Sequence, residues 1–265
     1  MQTSSARSSE PVPARQPHGS PRLTLLGLHV SPWSEKARWA LDHHRVPYRY
    51  REYLSLFEEP VLRIRTRRLT GTVTVPVLFG SGPTINESWG IAREAERLGT
   101  GKSLFPSGRL EDIERWDARS EIALAASRVM EIPKLIEDAG ARRESLPPFV
   151  PKLLRGAFDP VVVTVYRHII RKYAIRKDTT HAARERLVAQ LTALEQALAG
   201  GKRYILDEFS YADITMALTL QMVVPVGDRW KRLGSATRAC MTEPELATRF
   251  AGLVAWRDAL YDNHR

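Results

Sequence analysis

The sequence predicts an α/β domain followed by an all-α domain, and three observations lead there. Up to about residue 98, short apolar or β-branched runs alternate with amphipathic helical segments. From Leu110 onward only helical periodicity remains. The chain, at 265 residues, is long enough to build two cores.

The elements follow in order. Residues 1–22 hold Pro11, Pro13, Pro17 and Pro21 among serines and arginines, with no apolar stretch, and are expected to form a disordered tail. The same prolines would break the amphipathic helix of an organellar transit peptide. Leu23 to His29 is apolar and bounded by Pro21 and Ser31-Pro32, which predicts a buried strand. Trp33 to His44 carries Ala37, Trp39, Ala40 and Leu41 at helical spacing, and Tyr48 to Tyr53 alternates aromatic and charged residues as a half-buried strand does. A basic linking segment with Arg63, Arg65, Arg67 and Arg68 leads to a β-branched run over Val73–Phe79. A turn at residues 80–83 then opens a short strand at Thr84-Ile85. Glu87 to Leu98 closes the first domain, residues 23–106, with an amphipathic helix. Beyond the link Phe105-Pro106-Ser107-Gly108, residues 109–265 predict helices near Leu110–Asp138, Pro160–Tyr173, Ala182–Leu198, Ala212–Val224 and Glu243–Tyr261.

Composition narrows the function classes. No apolar run approaches the roughly 20 residues that span a bilayer. The single cysteine, Cys240, allows neither an internal disulfide nor a multi-thiolate metal site, so no metal is expected and a reducing, cytoplasmic setting is. A formal net charge of +10 favours anionic partners. No helix-turn-helix, zinc-finger or aromatic-interleaved basic motif accompanies it, so no nucleic acid is expected as a partner.

Three residue pairs carry the chemistry. Ser31-Pro32 stands between a strand and a helix, with Ser at the N-cap and Pro at the first helical position. It reads as a plain helix start or as a place where free N–H groups and the helix dipole stabilise an anion such as a thiolate. Val75-Pro76 opens a strand with a residue that cannot donate to the ladder: either a trans proline at an edge, or a cis turn that frees the Val75 peptide groups for an extended ligand. Glu87-Ser88 reads as an ordinary acidic first turn, or as a pair that holds an ammonium (Glu87) and a carboxylate (Ser88 and the helix amides).

In this order the pairs resemble the glutathione transferase superfamily. The carrying segments are SPWSEKARWAL at 31–41, TVPVLF at 74–79 and INESWGIA at 85–92. FSYADITMAL at 209–218 resembles that family's buried capping motif, with Ser210 as N-cap and Asp213 reaching back. The resemblance implies a thioredoxin-like N-terminal domain followed by the all-α C-terminal domain, glutathione as co-substrate, a hydrophobic small molecule as acceptor, and a homodimer. Residue by residue it implies Ser31 as the catalytic hydroxyl, Val75 as backbone partner of the cysteinyl part, Pro76 in cis, and Glu87 and Ser88 at the γ-glutamyl end. A hydroxyl at position 31 activates a ligand thiol and cannot form a disulfide with it. Ser34, one turn on, is the rival hydroxyl, and Trp33 lines the mouth. The Gly-Lys that often precedes Val-Pro in the family is Val73-Thr74 here. Arg67 or Arg68 can grip the glycyl carboxylate instead, or belong to a solvated basic loop. A non-catalytic binding or scaffold protein is the alternative function.

Two motifs are set aside. Gly101-Lys102-Ser103 ends like a phosphate-binding loop but has Glu96 where the first glycine belongs. His43-His44 are adjacent, pointing to different helix faces, with no acidic or sulfur partner at ligand spacing. Residues 144–177 form a basic insertion. Val162, Val165, Tyr166, Ile169, Ile170 and Tyr173 make an apolar stripe opposite Arg167, His168, Arg171, Lys172, Arg176 and Lys177. This helix is read as core packing with a solvated basic face, or as a cover for the acceptor site or a contact with an anionic membrane surface.

Overall fold

The computed structural model describes residues 23–54, 58–68, 70–80, 82–147 and 150–265; the tail expected over 1–22, Pro148 of the insertion and the side chain of Lys177 lie outside these. A four-stranded mixed sheet, order β2-β1-β3-β4, organises the first part. Its strands are β1 (Leu23–Gly27), β2 (Tyr48–Glu52), β3 (Val77–Phe79) and β4 (Ile85–Asn86). β1 runs parallel to β2 and antiparallel to β3, with Leu25 opposite Leu78 and Leu26 opposite Val77.

Alternation along β1 splits the core. Leu25 and Leu78 face α1 (Pro32–His43) and α3 (Ser88–Leu98), joining Ala37, Trp39, Leu41 and Ile91 in the main cluster. Leu26 and Val77 face the other way, with Tyr53, Val73 and Leu62. Leu62 belongs to α2 (Glu59–Thr66), a helix lying in the stretch expected to be a linking segment. Only Leu62 of its eight residues is buried, so it has almost no apolar periodicity to read. Its signals are local: Pro60 in the first turn, arginines in the last, and Arg67 in the left-handed region (φ 54°) as C-cap. The strand expected over Val73–Phe79 is shorter, because Pro76 has no amide hydrogen for a ladder and pairing starts at Val77. β4 is displaced by one residue from Thr84-Ile85.

Helices follow: α4 (Leu110–Glu137), α5 (Ala139–Glu144), α6 (Asp159–Lys172), α7 (Thr180–Ala197), α8 (Tyr211–Thr219), α9 (Ser235–Cys240), α10 (Pro244–Arg249) and α11 (Ala251–His264). The six-residue helices α5 and α9 are too short to show a period. The segment 243–261 is two helices that meet at Phe250, a fully buried residue whose non-helical backbone serves as the C-cap of α10 and the N-cap of α11. The helix expected over Ala212–Val224 gives way to a 3-10 turn at Leu220–Met222. α8 is buried along its whole length, between α4, α1 and α11. The segment between the two parts is tied at both ends. Glu96 accepts hydrogen bonds from the Leu104 and Phe105 amides, and the Leu104 carbonyl accepts from the Tyr211 amide.

The start of α8 bears out the capping box. Asp213, fully buried, accepts from the Ile205 amide (2.9 Å) and from the Ser210 amide (2.9 Å) and hydroxyl (3.1 Å). Burial pushes its carboxyl up to about 6, against the pull of these hydrogen bonds. A folded-state value above the unfolded one, about 3.9, gives a contribution that is complete below about pH 4 and lost as pH rises through 6. Asp213→Ala, which orphans two buried amides, is expected to cost about 2–4 kcal/mol in urea unfolding. With Asp213→Asn, the stability lead of the native chain over the variant should shrink by about 2–3 kcal/mol between pH 4 and pH 7. A lead that stays constant or grows with pH would contradict the raised value.

Candidate active site

The sheet register brings three of the sequence-predicted pairs to one end of the sheet. With Leu26 opposite Val77 and Val77 opposite Asn86, the chain running on past Leu26 toward Ser31 lies beside Val75-Pro76, and Glu87 follows Asn86 alongside Pro76. The Glu87 amide donates to the Pro76 carbonyl (3.3 Å). The Val75–Pro76 peptide bond is cis. Leu28 and Val75 both rest on the Leu26–Val77 side of the core. Val75 precedes the ladder, and its peptide groups take no backbone hydrogen bond among the described residues.

Ser31 is the N-cap of α1, in extended backbone, with Pro32 following. Its hydroxyl oxygen accepts from the Ser34 amide at 3.5 Å, a long and weak bond that leaves the O–H free to donate elsewhere. Ser34 is different. It is 1% exposed, packs against Gly27, and its hydroxyl oxygen accepts from the Leu28 amide at 3.0 Å. Of the two rivals, Ser31 is therefore the more accessible hydroxyl, and Ser34 braces the turn that carries it. Glu87 is exposed at the N-cap of α3 with φ 73°, a left-handed backbone unusual for a residue with a side chain, while Ser88 is buried in the first turn. Arg67 and Arg68 are exposed after α2, and neither guanidinium has a partner among the described residues.

Trp33 turns away from the sheet toward the helices. Its indole N–H donates to Glu121 (2.7 Å), and the guanidinium of Arg128 lies 4.3 Å from its ring centroid. Sequence reasoning missed what lies beneath it. Lys36, fully buried, donates to Asp117 (2.9 Å), Ser120 (2.7 Å) and Glu121 (2.7 Å), and Thr215 of α8 donates to the same Asp117 oxygen (2.6 Å). The available signal was spacing: Lys36 stands three residues after Trp33 and four before Ala40, a charge on the buried face of α1.

The insertion helix α6 also differs from expectation. Val162 and Tyr166 pack on Leu135 and Ala141, as core packing requires, and Arg167, Arg171 and Arg176 are exposed. Lys172 and His168 are docked rather than solvated. Lys172 donates to the Val73 carbonyl (2.6 Å) and stands 3.8 Å from Glu59, and His168 is 3.3 Å from Glu59. Burial pulls the Lys172 ammonium down, with Glu59 opposing. The insertion therefore touches the strand lead-in two residues ahead of Val75. The His43 and His44 rings, expected on different faces, meet edge to face at 4.9 Å, since His44 lies past the helix end. No cluster that could hold a metal occurs among the described residues, and none of their helices is long and apolar enough to cross a membrane.

Residues 30–98 match the family described as glutathione S-transferase, N-terminal domain, and residues 173–259 match glutathione S-transferase, C-terminal domain. No curated protein matches the chain in sequence. Among solved structures, it is similar to a glutathione S-transferase from Methylobacterium radiotolerans in complex with glutathione sulfonate (16% identity, 91% of each chain, TM-score 0.59). A glutathione S-transferase from Methylobacillus flagellatus with glutathione bound is 15% identical over 91% of this chain and 95% of its own, at TM-score 0.57. One from Rhodospirillum rubrum is 19% identical over 91% and 88%, at TM-score 0.57. At such identities these likenesses speak for the shared fold.

Lys36 makes the sharpest test of how the two parts are joined. Lys36→Met leaves Asp117 and Glu121 without their cation, and is expected to cost about 2–3 kcal/mol in urea unfolding, less than a fully enclosed pair because Glu121 is 44% exposed. A loss under about 0.5 kcal/mol would show the cluster to be solvated.

Proposed function

We propose, from the premise that this chain belongs to the glutathione transferase superfamily, that it binds glutathione and activates its thiol for attack on a small hydrophobic electrophile. The single observation that carries this reading is the convergence at one sheet end of the Ser31 N-cap, the cis Val75–Pro76 bond and the Glu87-Ser88 helix start. Relatives of the same fold were solved with glutathione or its sulfonate bound, which supports the ligand.

Each residue has a role that its chemistry suits. The free peptide groups of Val75 pair with the cysteinyl backbone of the tripeptide. Glu87, exposed and acidic, takes the γ-glutamyl ammonium, while Ser88 and the first-turn amides of α3 take its carboxylate. Arg67 or Arg68 meets the glycyl carboxylate, replacing the Gly-Lys that Val73-Thr74 displaces. The Ser31 hydroxyl donates a hydrogen bond to the thiolate sulfur at the positive end of the α1 dipole, which lowers the pKa of the bound thiol. The thiol proton leaves to solvent. The sulfur then attacks the electrophilic carbon, a C–S bond forms, and the leaving group departs with the electrons of its bond. The working form is proposed to be a cytoplasmic homodimer.

A second reading has its own observation. The insertion occupies the Val73 carbonyl through Lys172, in the segment where the family's Gly-Lys stands, which suits a binding protein that has lost turnover. Calorimetric titration with glutathione, followed by thiol consumption with a neutral and with an anionic aryl halide, separates the two. Binding with turnover supports the enzyme, binding without it the scaffold, and no binding overturns both.

Ser31→Ala is expected to retain glutathione affinity within a few-fold while kcat falls by about 10- to 100-fold at pH 7. The acidic limb of kcat/KM should move up by about one pH unit, because the donor that stabilises the thiolate is gone. An unchanged pH profile would remove Ser31 from the chemistry.

A further inference from the structure

The helical part holds a cavity of about 630 Å³ between α4, the end of α6 and the start of α7, and one of its lining residues, Arg128, stacks on Trp33. Ile122, Val129 and Ile175 supply apolar wall, and the polar lining is Arg128, Tyr173, Thr179 and Arg186, with no carboxylate. Neither Arg128 nor Arg186 has an ion pair among the described residues, so two guanidinium groups share a lining that offers them no counter-charge.

Arg128 is held in place without being neutralised. Its guanidinium lies between two aromatic faces, 4.3 Å from the Trp33 centroid and 3.9 Å from that of Tyr173. Cation–π contacts fix its orientation and leave its N–H donors uncommitted, since no hydrogen bond of Arg128 forms among the described residues. Glu121 uses its two oxygens for Trp33 and Lys36 and makes no hydrogen bond to Arg128 among the described residues. Burial pulls the Arg128 pKa down, as expected for a cation short of counter-charge, against the pull of Tyr173, Glu121 and Glu131. A planar fork with free donors in an apolar cavity matches a carboxylate or sulfonate on a flat, apolar body.

We infer that this cavity is the acceptor pocket and that Arg128, aided by Arg186, selects an anionic aromatic electrophile. The inference rests on the glutathione reading above and names its second substrate class: the ring lies on the Ile122–Val129 wall, and its carboxylate or sulfonate meets the Arg128 fork. The link to the thiol end is Trp33, which stacks on Arg128 and stands two residues after Ser31. For a chloronitrobenzoate, the thiolate sulfur bonds to the ring carbon that carries chlorine, chloride leaves with the C–Cl electrons, and the thiol proton goes to solvent.

The test begins without glutathione, by calorimetric titration of the full chain with 4-nitrobenzoate and its uncharged counterpart 4-nitrobenzamide. The benzoate is expected to bind about tenfold or more tighter, and Arg128→Gln and Arg186→Gln each to weaken the benzoate several-fold while leaving the amide within about twofold. With glutathione, kcat/KM for 4-chloro-3-nitrobenzoate over that for 4-chloro-3-nitrobenzamide, each divided by its uncatalysed rate constant, should favour the acid and lose that preference in both variants. Equal affinities in the native chain, or a preference that survives both substitutions, overturns the inference. So does discrimination in binding that is absent from turnover. If Arg128→Gln does not fold, Arg186→Gln decides, since that side chain is exposed. Benzoate discrimination in a chain that binds no glutathione would overturn the proposed function instead, and that outcome is distinct from glutathione binding without discrimination.

Discussion

Lys36 ties the sheet-based part to the helices, and the placement of the site depends on it. An ammonium with no exposure is tolerated only when its donors are met, and here Asp117, Ser120 and Glu121 of α4 meet all three. Because Asp117 also accepts from Thr215, and Ser120 lies 2.5 Å from the Thr215 hydroxyl, the cluster joins α1, α4 and α8 in one network. The same helix α1 carries Ser31 at its first cap and Trp33 in its first turn. Fixing α1 to α4 therefore sets both the direction of the dipole at Ser31 and the distance from that point to the helical wall.

From that junction the second layer of contacts builds outward. Glu121 uses one oxygen for Lys36 and the other for the Trp33 indole, so the buried charge cluster also orients the ring at the site's edge. Arg128, two turns further along α4, stacks on the same ring and on Tyr173, which draws the end of α6 into the group. α6 in turn reaches back to the first part through Lys172 and the Val73 carbonyl. The insertion thus closes a circuit of contacts from β3's lead-in through α6 and α4 to α1.

What was legible in the sequence was local. Ser31-Pro32 and Ser210–Asp213 each combine backbone requirements with side-chain chemistry within a few residues, and cap and capping box follow from that chemistry, whereas the cis bond of Val75-Pro76 was one of two local readings and was singled out by the family resemblance. What was not legible depends on partners far along the chain. Lys36 and Asp117 are separated by 81 residues and Lys172 and Val73 by 99, so no window on the sequence shows the pairing. The α2 helix was missed for the opposite reason: with Leu62 as its one buried residue it has no apolar face to announce it, and only Pro60, the terminal arginines and the Arg67 cap mark its ends. The basic face of α6 was misread in part because charge pattern tells which residues are polar, not whether another segment lies against them.

The position of the lone cysteine bears on which sulfur does the chemistry. Cys240 lies in α9, its Sγ 3.8 Å from the Lys134 carbonyl near the end of α4, and burial pushes its thiol up, with Asp138 adding to that and Lys134 opposing. A thiol held protonated beside a carbonyl is a poor nucleophile and a poor partner for exchange. Ser31, at the start of α1, offers a hydroxyl in place of a thiol. The protein as proposed supplies a dipole, a donor and a shaped wall, and leaves the reactive sulfur to the ligand. On the proposed reading, that division of labour explains why the features that shape selectivity, Trp33, Arg128 and Tyr173, sit on the helical side, while those that would hold the tripeptide sit at the end of the sheet.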